Sequence, residues 1–408
     1  MLNKSINNYF LLLFSILPIS IIVGPSISLV NIIFIDISFL ILIFFKKNYV
    51  FFKSKTIKYL LILYIYLIFN SFISIDYEIG LARNLGFIRF IILFIAFNYF
   101  FYQNSFLKII LSVWTLIIGI VLFDIFYESF IGKNILGFGG EELLYGDRIL
   151  SFFKDEPIVG GYVYSFYLII LGFLFHEYNQ NKNLILLFSI IFLVAIILTG
   201  ERSNTIRAFI GLFIFYSILK EYDYKKKIIL FTTAIIIFMT LILNSVFLKI
   251  RFIGQMQSYL TKNNEYFKIY KSGFEVFKNY KFFGVGNKNY RVETCRLDIS
   301  DFKKKDVYYC TTHPHQIYFE LLSEHGLFGT IFLFLIFFKL IFSRLCEIFK
   351  KNNYISLGSF VFLIITFLPL LPSGAFFSDY MLNMFIINLS IFYASNHKLN
   401  IFYQNEKR

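Results

Sequence analysis

The residues best suited to chemistry lie in one short stretch, Thr311-Thr312-His313-Pro314-His315-Gln316, at the start of an apolar run. Proline is favoured in the first turn of a helix, and Thr312 or His313 would cap it. That places His315 in the first helical turn. The positive end of the helix dipole would then lower its pKa and hold the imidazole neutral. A neutral imidazole is what a general base needs to take a proton from an attacking hydroxyl. The free backbone N–H groups of such a turn would also welcome a phosphate. The plainer alternative is that His313 and His315 are polar loop residues at an interface. Further on, Gln316, Glu320 and Glu324 share one helix face, and Gly326 and Gly329 would allow close helix approach.

Cations form the second candidate group. Arg202 lies in the turn Thr199-Gly200-Glu201-Arg202-Ser203-Asn204, with Arg207 one turn into the next apolar run. A guanidinium presents forked donors suited to gripping a phosphate at two points. On pattern alone, an arginine that snorkels to anchor a helix end is the simpler account. A hydrophilic segment at Glu128–Pro157 carries Glu141, Glu142, Asp147, Arg148, Lys154, Asp155 and Glu156. A longer one, Lys249–His315, holds thirteen Lys/Arg against six Asp/Glu, a net +7 that includes Lys268, Lys288 and Arg291. That charge either attracts an anionic ligand, such as a lipid diphosphate or acidic glycan, or marks a loop that tolerates lysines.

Within the longer segment, Asn264–Lys281 reads as an amphipathic helix. Phe267, Tyr270, Phe274 and Phe277 fall on one face, and Lys268, Lys271, Glu275 and Lys278 on the other. It would lie in a membrane interface or pack on the membrane domain. Gly284-Val285-Gly286 then makes a turn. Cys295 and Cys310 share this segment, whereas Cys346 lies elsewhere. The pair would form a bridge in an oxidising compartment, or remain two free thiols. No Cys/His cluster has metal-ligand spacing, so neither a metal nor a cofactor is expected.

The elements that must position these groups are membrane helices. The 408 residues are 58% hydrophobic and 16% charged, with mean hydropathy +0.70. A soluble domain is typically about a quarter charged. The apolar residues fall in runs long enough to cross a bilayer core of roughly 30 Å. We read spans at 8–24, 26–45, 57–75, 84–103, 106–127, 158–175, 183–199, 204–219, 228–248, 316–342, 354–373 and 380–396. The first resembles a signal peptide, but no small-residue cleavage site follows it, so a retained helix is expected. The lysine-rich loops Lys46–Lys58, Lys220–Lys227 and Arg344–Lys351 fall on one side with both termini, which the positive-inside rule makes cytoplasmic. Opposite loops, such as Asp76–Glu78 and Ser373–Asp379, are short or acidic.

The expected class is therefore an all-α polytopic membrane protein of about twelve transmembrane helices with one large extracytoplasmic loop. We divide it into an N-terminal part (1–157), a core with the large loop (158–343) and a C-terminal part (344–408). The net charge of +14 is partly this topology and partly the basic outer loop.

At this point the sequence resembles the O-antigen ligase and polymerase superfamily of polytopic bacterial membrane proteins. His315-Gln316, nine residues, Gly326, two residues and Gly329 match that family's motif. Tyr318–Leu327, Phe283–Gly286, Thr199–Ser203 and Arg148–Pro157 are similar to its accompanying segments, in the same order. The resemblance implies glycan transfer without metal at the periplasmic face of the inner membrane. The donor would be an undecaprenyl-diphosphate-linked glycan. The acceptor would be a lipid A-core sugar for a ligase, or another lipid-linked glycan for a polymerase. Membrane lipids, and no nucleic acid, complete the expected partners. His315 would match the catalytic histidine and Arg202 the arginine that grips diphosphate, with Arg148, Lys268 and Arg291 as further diphosphate ligands. His313, Gln316, Glu320, Glu324, Gly326 and Gly329 would support them. Where the family often has another loop arginine, this chain reads Tyr266-Phe267-Lys268, and Glu201 stands where small residues are usual. The distant alternative is a polysaccharide transporter or flippase, which would instead place its charges in a midplane cavity.

Overall fold

Hydropathy dictates helices here, because a chain in hydrocarbon must satisfy its backbone polar groups internally. The computed structural model describes residues 4–101, 104–139, 148–154, 156–255, 264–295, 307–343, 345 and 353–403. Glu141, Glu142, Asp147, Asp155, Arg344, Cys346, Lys350 and Lys351 lie outside the described residues. All regular structure among the described residues is helical.

Nine helices among the described residues are long and apolar enough to cross a membrane. They are Lys4–Val23, Pro25–Lys46, Lys55–Phe72, Tyr77–Phe101, Ser105–Ile131, Val159–Glu177, Asn179–Leu198, Tyr224–Asn244 and Ile317–Phe342. Many are apolar all round. The Pro25–Lys46 helix buries Ile32, Ile35, Phe39 and Leu42, yet also exposes Val30, Phe34, Ile37, Ile41 and Phe44. Exposed apolar stripes of this extent belong in lipid. The three remaining expected spans correspond to shorter helices: Arg202–Ile218 (17 residues), Tyr354–Thr366 (13 residues) and Asp379–Ala394 (16 residues).

The Tyr354–Thr366 helix is buried along almost its whole length, packed against the Val159–Glu177 and Asp379–Ala394 helices. At 1.5 Å per residue it spans only about 20 Å. The span expected over 354–373 therefore ends early, and Pro369 and Pro372 explain why: neither can donate to a helix ladder. Residues 367–378 continue as irregular chain, which membrane proteins tolerate where protein or a cavity surrounds it. That shortfall leaves room at one end of the bundle.

The Ile317–Phe342 helix is broken. Gly326 has φ 65° and ψ −170°, outside the helical region. A Cβ at Gly326 would lie 2.4 Å from the backbone of Phe282 and Phe283. The chain at 281–286 crosses the break and exchanges backbone hydrogen bonds with it: Leu327 N–H donates to Lys281 O (2.8 Å), Val285 N–H to Ser323 O (2.9 Å) and Gly286 N–H to Glu324 O (2.9 Å). Gly326 thus admits a crossing chain rather than a neighbouring helix. Gly329 does meet a helix, with Tyr66 Oη of Lys55–Phe72 against its Cα.

The amphipathic helix forms over Glu265–Asn279, capped by the Asn264 side chain on Tyr266 N–H (2.8 Å). Its faces differ from the expectation. The packed face is Ile269, Ser272, Gly273 and Val276, whereas Phe267 and Phe274 point outward with Lys268, Lys271 and Lys278. Gly273 favours that orientation, because a Cβ there would lie only 3.1–3.3 Å from Pro314 and Phe319.

Candidate active site

Several elements converge on one end of the bundle and line a cavity of about 370 Å³. The turn after Asn179–Leu198 brings Glu201, Arg202 and Asn204, and the helix it opens brings Arg207. The end of the first hydrophilic segment brings Arg148, and the chain after Tyr224–Asn244 brings Arg251. The loop before Ile317–Phe342 brings His313 and His315. The irregular chain at Pro372–Gly374 closes the cavity beside Phe362, Met381 and Met384.

Each cation is held in place. Arg148 donates to Pro157 O (2.8 Å) and lies 3.9 Å from the Glu201 carboxylate. The chain leading to Arg148 is itself fixed by acids at the end of Ser105–Ile131: Glu128 accepts from Leu150 and Ser151 N–H (3.0 and 2.7 Å), and Asp124 accepts from Ser151 Oγ (2.6 Å). Arg207 donates to Pro372 O (2.9 Å) and Asn204 Oδ1 (3.3 Å). Arg251 donates through Nε to Gly200 O (3.3 Å) and through Nη1 to Gln255 Oε1 (2.9 Å). Arg251 thereby ties its segment to the turn that carries Arg202.

Glu201 is a strut. Its carboxylate accepts from Gly160 N–H (2.7 Å), Gly161 N–H (3.0 Å) and Asn204 Nδ2 (2.6 Å). It therefore caps the N-terminus of Val159–Glu177, where the dipole favours an anion. Burial pushes its carboxyl pKa up, and Arg148 opposes that shift. A Cβ on Gly160 would meet Thr199 Oγ1 at 2.5 Å, so the glycine pair is what lets the turn dock.

The histidines sit differently from the expectation. The helix begins at Ile317, and its cap is Gln316, whose Oε1 accepts from Tyr318 and Phe319 N–H (2.8 and 3.0 Å). Pro314 and His315 precede the helix, and His315 adopts a left-handed φ of 51°. Its carbonyl accepts from Ser373 N–H (2.9 Å), which locks the histidine loop to the irregular chain opposite. The two imidazoles are 4.0 Å apart between centroids, with Tyr266 edge-on to His315 at 6.1 Å. Both are held neutral. Burial lowers the His315 pKa from 6.5, and burial is likewise the largest cause that lowers His313 to about 3. Desolvation, not the helix dipole, is the cause.

The remaining expected residues lie elsewhere. Glu320 is buried and clamps the irregular chain, accepting from Phe376 N–H (2.9 and 3.0 Å). Glu324 is buried one turn on, facing the backbone N–H groups of Lys288 and Tyr290. Lys268 is exposed on the amphipathic helix and does not line the cavity. Arg291 lines a separate cavity with Lys288. Neither is brought to Arg202. Cys295 and Cys310 form a disulfide, with Cα atoms 4.7 Å apart, three residues before His313. Among the described residues no three His, Cys, Asp or Glu converge as a metal-ligand group.

Residues 187–334 match the family model described as O-antigen ligase. Over that segment, about a third of its length, the chain is similar to the O-antigen ligase family. The match includes Arg202, Arg207, Arg251, His313 and His315, while Arg148 reaches the same cavity from outside the matched segment. A comparison with curated proteins finds no significant match.

Arg251 was not singled out by sequence reasoning. Its position depends on the π-helical turn Ile250–Gly254 folding back onto Gly200, and no local pattern announces that. Glu201 was noticed only as an unusual residue. The following Asn204 and the Gly160-Gly161 pair were the available signals.

Proposed function

We propose that this protein transfers a glycan from an undecaprenyl-diphosphate carrier to a sugar hydroxyl of lipid A core, at the extracytoplasmic face of the inner membrane. One observation carries the reading: Arg148, Arg202, Arg207 and Arg251 line the same cavity as His313 and His315. Fixed cations beside neutral imidazoles suit a reaction whose leaving group is a diphosphate and whose nucleophile must lose a proton.

The acceptor hydroxyl attacks the anomeric carbon and gives its proton to His315. The new glycosidic C–O bond forms as the bond from that carbon to the diphosphate oxygen breaks, with inversion. The electron pair leaves with the diphosphate, and the arginines stabilise the added charge without calling on a metal. Preorganised donors of this kind are often the largest single contribution to such catalysis. Phe362, Met381 and Met384 offer the apolar wall that the start of a lipid chain needs. A transporter fits less well, because the cations gather at one end of the bundle instead of a midplane site.

The test is complementation in a host lacking its O-antigen ligase and in another lacking its polymerase. The wild type is expected to join glycan to lipid A core in the first host. His315→Ala should reduce transfer by about 10²–10⁴, Arg202→Ala should also lose it, and Lys268→Ala should retain it. Longer chains in the second host would instead assign the polymerase reading, with a lipid-linked unit as acceptor. Full transfer by a normally inserted His315→Ala protein would overturn the mechanism.

A further inference from the structure

A second cavity, about 330 Å³, shares no lining residue with the arginine cavity. Ile79, Lys288, Arg291, Val292 and Cys295 line it. Neither Lys288 nor Arg291 makes an ion pair with a described residue.

The chain around Lys288 is built with unusual rigidity. Asn287 is fully buried and binds two separate helices, donating N–H to Asn70 Oδ1 (2.7 Å) and its side-chain amide to Asn84. Asn289 is fully buried and pairs with Asp76 in both directions, at 2.8 and 3.0 Å. Tyr290 is fully buried on Ser272 Oγ (2.8 Å). Between these anchors only Lys288 is left partly exposed, with φ 67°. A left-handed backbone is unfavourable for an ordinary residue, and glycine or asparagine would adopt it more readily. The backbone that carries the Lys288 cation is thus fixed before any ligand arrives. Holding it so reduces the entropy lost on binding.

This cavity is tied to the histidine loop through the disulfide. Cys295 in its wall is bonded to Cys310, from which two residues lead to His313.

We propose that Lys288 and Arg291 form a second anion site, tied to the histidine loop, which takes a phosphate or carboxylate substituent of the acceptor saccharide. The assignment to the acceptor rests on the glycan-transfer reading, whereas the anion site stands without it. Arg202 and its neighbours hold the donor diphosphate, and the second site orients the nucleophilic sugar.

Two measurements test the proposal on the full-length protein in lipid nanodiscs. The first is saturation-transfer NMR with mannose 6-phosphate, galacturonate and uncharged mannose. We expect one or both charged sugars to bind and mannose to bind far more weakly, and which charged sugar is favoured identifies the anion. Lys288→Gln/Arg291→Gln should weaken charged-sugar binding about ten-fold or more, and Arg202→Gln should leave it unchanged. Lys288→Gly relieves the backbone strain, so it should fold at least as well as the wild type and still lose binding. Equal binding of mannose, or unchanged binding in the Lys288 variants, would overturn the site. The second is transfer kinetics: the double variant should raise the acceptor KM and leave the donor KM unaltered. Charged-sugar binding without any wild-type transfer would overturn the glycan-transfer reading and leave the anion site standing.

Discussion

His315 works from a left-handed residue just ahead of its helix, tethered through its own carbonyl to Ser373. Burial lowers its pKa from 6.5, so the neutral base persists where an ordinary histidine would be protonated. A base acts only when deprotonated, and a lowered pKa moves the acid limb of kcat/KM to lower pH. We expect that limb below pH 6.5, measured on the wild type with saturating donor. A limb above 6.5 would reject His315 as the base. The histidine itself was legible, because a His-Gln pair before a Gly-spaced apolar run is a compact local pattern. Its exact setting was not: Pro314 suggested a helix start three or four residues too early, since the Gln316 side chain supplies the cap. Lys268 shows another limit. Periodicity separates helix faces, but Gly273 bears on which face meets the protein, and Lys268 falls on the outward one.

Among the elements, the broken Ile317–Phe342 helix matters most. Its first half carries Glu320, whose carboxylate holds the irregular chain at Phe376, and Glu324, whose backbone carbonyl accepts from Gly286 N–H. Gly326→Ala combines a positive φ with a Cβ 2.4 Å from the Phe282 and Phe283 backbone. The φ alone is worth roughly 1–2 kcal/mol, and the clash adds to it. We expect a clearly lowered Tm by thermal shift in detergent, whereas Gly119→Ala, with nothing within 4 Å, should be neutral or better. An unchanged Tm for Gly326→Ala would reject the crossing-chain geometry. Hydropathy located all twelve helices in their approximate places. It could not foresee that Tyr354–Thr366 stops after 13 residues, because burial inside the bundle excuses a helix from spanning the bilayer.

For the whole molecule, alternation of the helices puts Arg148, Arg202, Arg251, His315 and the Pro372–Gly374 chain at one end, opposite the lysine loops at 46–58 and 220–227. Which end faces outward is an expectation that rests on charge bias repeated over many independent loops. The disulfide gives a direct check. In intact cells, Cys295 and Cys310 should react with a membrane-impermeant maleimide only after reduction, and Cys346 only after permeabilisation. Labelling of Cys346 from outside would invert the topology. The bridge closes a loop of 15 in sequence separation, and removing it should cost about 3 kcal/mol.

A chamber of about 370 Å³ has room for a diphosphate and little more than the sugar joined to it. A polysaccharide of many units must hang outside. On the proposed reading, the protein inspects only the linkage end of its donor and is blind to how long the polymer has grown, so control of chain length has to be exercised by something else.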